Sequence, residues 1–167
     1  MNYQVRSART GDVRSIRRLV DANVTSGRLL DKATVTLYED IQEFLVADTE
    51  RDGQVIGCGA LHVMWEDLAE IRTTAVDGTC QGEGAGQLIV AALLERAREL
   101  GVRRVFVLTF AVKFFGRFGF EEIGGEAATP EVYAELLRSY DEGVAEFLDL
   151  DRVKPNTLGN TRMLLYL

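Results

Sequence analysis

A glycine-rich segment between two regular elements is the first place where this sequence could do chemistry. It reads Val76-Asp77-Gly78-Thr79-Cys80-Gln81-Gly82-Glu83-Gly84-Ala85-Gly86 and precedes the clearest helical pattern of the chain, Gln87–Leu100. Glycines let the backbone adopt positive φ and approach a ligand closely. Successive N–H groups at a helix N-terminus attract anions. The segment therefore predicts a site for a phosphate or pyrophosphate group.

Two common phosphate-binding loops do not fit this segment. A Walker loop ends in Gly-Lys followed by Ser or Thr, whereas Gly86 is followed by Gln87 and Leu88. A Rossmann fingerprint has the spacing G-x-G-x-x-G after the first strand. Here the glycines are Gly82, Gly84 and Gly86, and they follow a later strand. A flexible turn that only caps the helix is the alternative interpretation.

The segment Gln81–Gly86 resembles the acetyl-CoA loop, Q/R-x-x-G-x-G/A, of the GNAT superfamily of N-acetyltransferases. Phe114–Phe120 is similar to the F-Y-x-R-x-G-F segment of that family. The resemblance implies acetyl-CoA as co-substrate, with its pantetheine arm along the strand Glu70–Val76, and no metal. It implies these cofactor-binding residues: Ala75, Val76, Gln81, Gly82, Gly84, Gly86 and Phe115.

A closer resemblance is to the amino-acid N-acetyltransferases that open arginine biosynthesis, above all the short actinobacterial type. It rests on Gly57–Leu61, Glu70–Thr73, Val105–Thr109, Gly143–Leu148 and Lys154–Met163. It implies direct transfer, in a ternary complex, of acetyl to the α-amino group of L-glutamate or L-glutamine. Two alternatives stay open: a GNAT enzyme acting on another amine (a protein N-terminus, a lysine or a drug), and a non-catalytic CoA-binding regulatory domain.

Two residues depart from the family pattern. Phe115 stands where GNAT enzymes often have a tyrosine that protonates the leaving thiolate, and phenylalanine has no proton to give. Glu83 places a carboxylate in the loop expected to hold the pyrophosphate. Coulomb repulsion there would weaken CoA binding unless the side chain points to solvent.

Amide formation on an amino acid requires a base. An α-amino group has a reference pKa of about 8 in peptides and a higher one in free amino acids, so it is largely protonated near pH 7. Glu70 opens the strand that would hold the acetyl end of the cofactor, where burial would raise its pKa. The resemblance implies the same role. The alternative is that Glu70 only pairs with Arg72, which lies on the same face of the strand.

The transferred acetyl group also needs a donor for its oxyanion and a proton for the thiolate. A backbone N–H near Ala75 and Val76 would serve the oxyanion. The resemblance implies a hydroxyl at the end of the next strand as the acid, which is Thr109. The alternative for Thr109 is a hydroxyl that bonds the backbone at a strand end.

Cations should converge on the carboxylate of an amino-acid substrate. The resemblance implies Lys32, in the first loop, as one ligand. Arg72 is a second candidate, because a guanidinium matches a carboxylate bidentately. Further candidates lie in the tail: Lys154, Asn156, Asn160 and Arg162. The alternative for the tail residues is a solvated face.

Scarce residue types exclude several other chemistries. His62 is the one histidine, so a multi-histidine zinc site is impossible. Cys58 and Cys80 are the two cysteines, interpreted as a core residue and a turn residue, and His62 as an ordinary strand residue. With 19 basic and 26 acidic side chains the net charge is −7, which argues against a nucleic-acid partner.

Length and patterning predict one GNAT domain over residues 1–167. The order of apolar patterns predicts a mixed α/β fold, with a central sheet of about six to seven strands and helices on both faces. The predicted strands are 3–8, 44–48, 54–65, 69–76, 105–109, 120–123 and 162–167; the predicted helices begin at Val13, Leu37, Gln87, Lys113, Pro130 and Asp141.

We expect no membrane partner and a cytoplasmic location, because apolar runs are short and the start lacks signal-peptide features. The resemblance suggests a homodimer.

Overall fold

The computed structural model describes residues 2–25, 29, 31–125, 128–154 and 159–167. Its strands are β1 (Tyr3–Ser7), β2 (Phe44–Thr49), β3 (Val55–Trp65), β4 (Leu68–Val76), β5 (Arg104–Thr109), β6 (Glu121–Glu122) and β7 (Thr161–Tyr166). Its α-helices are α1 (Val13–Thr25), α2 (Thr34–Glu39), α3 (Ala85–Glu99), α4 (Val112–Gly116), α5 (Pro130–Leu136) and α6 (Glu142–Phe147). Short 3₁₀ turns occupy Thr10–Asp12, Ile41–Glu43 and Gly78–Cys80.

The strands form one seven-stranded sheet in the order β1-β2-β3-β4-β5-β7-β6. The β4–β5 pair is parallel, and the other neighbours are antiparallel. The helix α3 connects β4 to β5, as a parallel pair requires a crossover. The predicted mixed sheet and its strand number are therefore confirmed.

The parallel strands β4 and β5 pair only near their starts and then diverge. Only Leu68, Ala69 and Glu70 of β4 pair with β5. Beyond them β4 carries a bulge, in which Thr73 and Thr74 lie between the residues paired with Ala60 and Cys58 of β3. Thr73 has a positive φ of 55°, which bends the strand locally. The divergence of β4 from β5 leaves a cleft between them.

Alternating residues of the strands bury opposite faces of the sheet. Leu45 of β2 packs in the cluster that contains α3, whereas its neighbour Val46 packs in the cluster that contains α1. On the α3 side, a Cβ added to Gly57 or Gly59 would lie 2.8 Å from Ile89, so the missing side chains let α3 approach β3 closely. The predicted helices on both faces are confirmed.

Several predicted boundaries differ from the observed ones. The last helix was expected over Asp141–Leu150 but covers Glu142–Phe147. The carboxylate of Asp141 accepts from the backbone N–H of Val144 at 3.1 Å and so caps the helix from outside. Asp149, with φ of 57°, ends it. The strand expected at 120–123 is reduced to the two residues of β6 at the sheet edge.

None of the helices in the described part of the chain is both long and apolar enough to cross a membrane.

Candidate functional site

A cleft of about 870 Å³ opens where β4 and β5 diverge. It contacts every cofactor-binding residue expected from the sequence: Ala75, Val76, Gln81, Gly82, Gly84, Gly86 and Phe115. Thr109 at the end of β5 and Arg72 on β4 also line it. The fold thus brings the glycine-rich loop, the end of β5 and the middle of β4 to one cavity.

The glycine-rich loop has the backbone geometry of an anion site. Gly82 and Gly84 have φ of 81° and 95°, values that L side chains rarely adopt. Gly84 is the N-cap of α3, and its carbonyl accepts the helical N–H of Leu88 at 3.1 Å. The N–H groups at the start of a helix have no acceptor within the helix, so those of the first turn of α3 are oriented to bind a phosphate oxygen.

Glu83, the acidic residue of this loop, is exposed, and the hydroxyl of Tyr3 donates to its carboxylate. This hydrogen bond raises the pKa of Tyr3. Because solvent screens an exposed charge, the repulsion that Glu83 exerts on a neighbouring phosphate is weak.

The cleft reaches a buried ion-pair cluster on β4. Nη2 of Arg72 lies 2.9 Å from Oε2 of Glu70. The same guanidinium holds Asp141 bidentately, with Nη1–Oδ2 and Nη2–Oδ1 distances of 2.8 and 2.6 Å. The pairing of Glu70 with Arg72, the alternative left open by the sequence, is therefore present. It does not exclude a base role, since a carboxylate has a second oxygen.

Burial shifts the pKa values in this cluster. Glu70 is only 4% exposed, and desolvation raises its pKa although the charge of Arg72 opposes the rise. Burial acts in the same direction on Asp141, but the hydrogen bonds to Arg72, the charges of Arg72 and His62 and the hydrogen bond from Val144 together outweigh burial and lower its pKa to about 2. Of this pair, Glu70 is thus the carboxylate whose pKa is raised, as a general base requires.

Three further residues of the cluster were not expected from the sequence. His62 pairs with Glu70 across the β3–β4 ladder, its Nδ1 lies 2.7 Å from Oε1 of Glu43, and its Nε2 lies 3.7 Å from Oδ2 of Asp141. The hydrogen bond to Glu43 raises the pKa of His62. Glu146 of α6 has its pKa raised to about 8, first by burial and then by the charge of Glu70.

Thr109 makes the backbone contact considered for it, and this contact is compatible with the acid role. Its Oγ1 accepts from the backbone N–H of Ala111 at 2.8 Å, as expected of a strand-end threonine. A hydroxyl that accepts one hydrogen bond still has its own proton to donate. Since Thr109 lines the cleft, that proton is available to a group bound there.

Phe115 lies in the core as well as at the cleft wall. It is 4% exposed, and its ring packs edge-on against Phe114 and Phe120 at centroid distances of 5.1 and 5.4 Å. Its observed role is therefore packing beside the cofactor cleft.

The remaining predicted substrate ligands are spread over the chain. Lys32 is half-buried. Burial raises the pKa of Asp40, and the positive charges of His62, Lys32 and Arg72 oppose that rise. Lys154 is exposed and lies 3.2 Å from Asp151. Neither residue lines the cleft.

Two of the predicted tail residues, Asn160 and Arg162, lie at the start of β7. Asn160 precedes Thr161, which pairs with Thr109, and its buried Oδ1 has no hydrogen-bond partner among the described residues. Arg162 donates to the carbonyls of Glu146 and Phe147 and so fixes the end of α6. Asn156 lies outside the described residues. In the ranges that the structure describes, no cluster of His, Cys, Asp and Glu could hold a metal ion.

Known proteins resemble this chain over most of its length. The model of the acetyltransferase (GNAT) family matches residues 16–120. An amino-acid acetyltransferase of Mycobacterium tuberculosis is 59% identical over 98% of this chain and 94% of its own length. An amino-acid acetyltransferase of Aeromonas salmonicida is 34% identical over 72% of this chain, which is 27% of the relative.

Two crystal structures are similar. A Mycobacterium tuberculosis protein in complex with CoA and NLQ has a TM-score of 0.94 and 58% identity, covering 98% of this chain and 99% of that one. N-acetylglutamate synthase of Neisseria gonorrhoeae, complexed with coenzyme A and N-acetyl-glutamate, has a TM-score of 0.78 at 23% identity, and this chain covers 35% of it. The second likeness shows the fold.

These matches confirm the expected enzyme class and its acetyl-CoA co-substrate. The family match spans the glycine-rich loop, the opening between β4 and β5 and the phenylalanine segment after it. The chain belongs to the GNAT family of acetyltransferases.

Proposed function

We propose that the enzyme transfers acetyl from acetyl-CoA to the α-amino group of L-glutamate or L-glutamine. The observation that carries the proposal is a buried glutamate, Glu70, at the point where β4 and β5 diverge above a cleft that ends in a backbone anion site. The 59% identity to an amino-acid acetyltransferase, over nearly the whole chain, supports an amino acid as acceptor.

The cleft supplies a direct route for the reaction. The loop at Gly82 and Gly84 holds the pyrophosphate, so the thioester lies along β4 toward Glu70. Glu70 takes a proton from the substrate ammonium, directly or through water, and the free amine attacks the thioester carbonyl. A backbone N–H near Ala75 and Val76 stabilises the oxyanion. The C–S bond of the tetrahedral intermediate then breaks, and Thr109 donates its proton to the leaving thiolate while it takes up, directly or through water, the second proton that the newly bonded nitrogen loses.

The identity of the acceptor is tested by measuring thiol release from acetyl-CoA with a panel of amines. Glutamate and glutamine should release CoA at the highest kcat/KM, and one N-acetyl amino acid should form for each thiol. Peptides with a free N-terminus, lysine and aminoglycosides represent the other amines. A preference for any of these would contradict the proposal, and CoA binding with no turnover of any acceptor would indicate a regulatory domain.

Lys32 is the first candidate for the substrate carboxylate, because the fork of Arg72 is already filled by Asp141 and Glu70. Lys32→Met should raise the KM for the amino acid roughly ten- to hundredfold, as a hydrogen bond to a charged group is worth about 1.5–3 kcal/mol. The KM for acetyl-CoA should stay unchanged. Lys113→Met, which removes an exposed lysine of α4, is the matched control. An unchanged amino-acid KM in Lys32→Met would remove Lys32 from the site.

The homodimer and the cytoplasmic location stay predictions. Size-exclusion chromatography with light scattering tests the first, and cell fractionation tests the second.

A further inference from the structure

The guanidinium of Arg72 has almost no hydrogen-bonding capacity left for a substrate. Its Nη2 donates to Oε2 of Glu70 and to Oδ1 of Asp141, and its Nη1 donates to Oδ2 of Asp141. Its Nε is buried and has no partner among the described residues. A guanidinium has five N–H donors, so one N–H of Nη1 is the donor that a ligand in the cleft could still reach. Bidentate binding of a substrate carboxylate by Arg72 would require Asp141 to leave.

Asp141 is held from two sides. Its carboxylate caps α6 by accepting from the N–H of Val144 while it binds Arg72. Two residues after Asp141, a Cβ added to Gly143 would lie 1.9 Å from Oε2 of Glu70 and 2.4 Å from Nη2 of Arg72. The start of α6 therefore packs its backbone directly on the Glu70–Arg72 pair. This helix lies beyond residue 120, where the match to the family model ends.

We propose that Asp141 is a positioning residue for the base Glu70: it fixes Arg72 against one oxygen of Glu70 and offsets the charge of Arg72 that Glu70 experiences. The proposal rests on the proposed function, in which Glu70 accepts the proton of the amino group. Gly143 also contributes to the position of Glu70, because any side chain at residue 143 would displace the Glu70 carboxylate. Asp141 acts through Arg72 and touches no reacting atom.

Several charged groups face this pair, and their effects have known signs. Arg72 of β4 lowers the pKa of Glu70, and so does His62 of β3, whereas Asp141 raises it. Glu43, before β2, bonds His62 and adds negative charge near Arg72. On α6, burial and the charges of Glu70, Asp141 and Glu142 raise the pKa of Glu146, and the charge of Arg72 opposes the rise. Burial raises the pKa of Asp40, and the charges of His62, Lys32 and Arg72 oppose that rise. Removing the charge of Asp141 should therefore lower the pKa of Glu70.

Asp141→Asn tests the proposal, since asparagine keeps the size of the side chain and is a good N-cap. We expect the acid-side midpoint of the kcat/KM profile to move to lower pH and the plateau kcat to fall about three- to tenfold, because a weaker base transfers the proton less well. The KM for the amino acid should change less than twofold. Glu142→Gln removes an exposed carboxylate from the same helix turn and should leave the profile unchanged.

The opposite role for Asp141 predicts a different result. If Asp141 only occupies Arg72 until a substrate carboxylate displaces it, Asp141→Asn should lower the KM for the amino acid and leave the acid-side midpoint in place. That outcome would overturn the proposal, as would an unchanged profile. Repeating the comparison in a His62→Gln background excludes His62 as the source of a shift, because Asp141 also acts on that imidazole.

Two further variants separate this inference from the proposed function. Gly143→Ala should fold, because alanine favours helices more than glycine does, yet lose activity as its methyl group displaces Glu70. In a Glu70→Gln background, where the limb set by Glu70 is absent, Asp141→Asn should leave the pH profile unchanged. If the wild-type enzyme acetylates no amino acid, the proposed function fails. If it does and Asp141→Asn behaves like Glu142→Gln, only the role of Asp141 fails.

Discussion

Glu70→Gln is expected to lower kcat by about 10²–10⁴-fold, the usual contribution of general base catalysis, with little change in the KM for acetyl-CoA. Glutamine keeps the shape of the side chain and can still accept the hydrogen bond of Arg72, which lies 2.9 Å from Oε2. What it loses is the site that takes the ammonium proton. The loss should therefore appear in turnover and not in binding.

The raised pKa of Glu70 determines how activity should depend on pH. Burial raises the pKa of Glu70, so the fraction of ionised base, and with it the kcat/KM, should fall as pH decreases through that pKa. In Glu70→Gln the bend at the pKa of Glu70 should disappear. Activity should then follow the fraction of free amine and rise tenfold per pH unit up to the pKa of the substrate amino group. Part of the activity is therefore rescued at high pH.

A matched control is Asp48→Asn. Asp48 is another buried carboxylate, paired with Arg6 at 2.8 Å in β2 and away from the cleft, so its amide should leave the pH profile unaltered. Purified variants are compared by steady-state kinetics across the pH range and by thermal melting. If wild type and Glu70→Gln bend at the same acid-side pH, Glu70 is not the titrating base.

The parts of the fold that the sequence predicts well are those encoded by neighbouring residues. Gly82 and Gly84 act through their own φ angles and through the helix that follows, so the backbone geometry of this loop was predictable. The spacing of Glu70 and Arg72 places both on one face of β4, and they do form an ion pair.

The register of the β3–β4 hairpin could also have located His62. The turn at Glu66 and Asp67 pairs Trp65 with Leu68, and counting back along both strands, with the bulge between Val63 and Trp65, places His62 opposite Glu70. The sequence treated His62 as an ordinary strand residue. The signal was therefore present, but its use required a correct register.

Asp141 could not be found by such counting. It lies 69 residues after Arg72, with the strands β5 and β6 between them in the chain, and only the packing of α6 on β4 brings the two together. Its own neighbours predict a helix start and nothing more, because a capping aspartate is common. The bidentate pair that fills Arg72 is a tertiary contact, and it changes which residue can bind the substrate carboxylate.

Gly84→Val is expected to lower the affinity for acetyl-CoA by about 10²-fold or more. Gly84 has φ of 95°, and a Cβ there would meet no protein atom within 4 Å, because the position faces the open cleft. A valine side chain would occupy space next to the first turn of α3 and draw the loop out of its left-handed conformation. Each lost N–H bond to the charged pyrophosphate is worth about 1.5–3 kcal/mol, so losing one or two accounts for the fall.

Backbone strain alone must be separated from loss of the anion site, and Gly53 provides the control. Gly53 also has a positive φ, of 69°, and empty space around it, but it lies in the β2–β3 hairpin away from the cleft. Gly53→Val and Gly84→Val should both lose about 1–2 kcal/mol of stability, the cost of a left-handed side-chain residue. Calorimetric titration with acetyl-CoA should show normal affinity in Gly53→Val only. Equal affinities in the two variants would place the pyrophosphate elsewhere than at the start of α3.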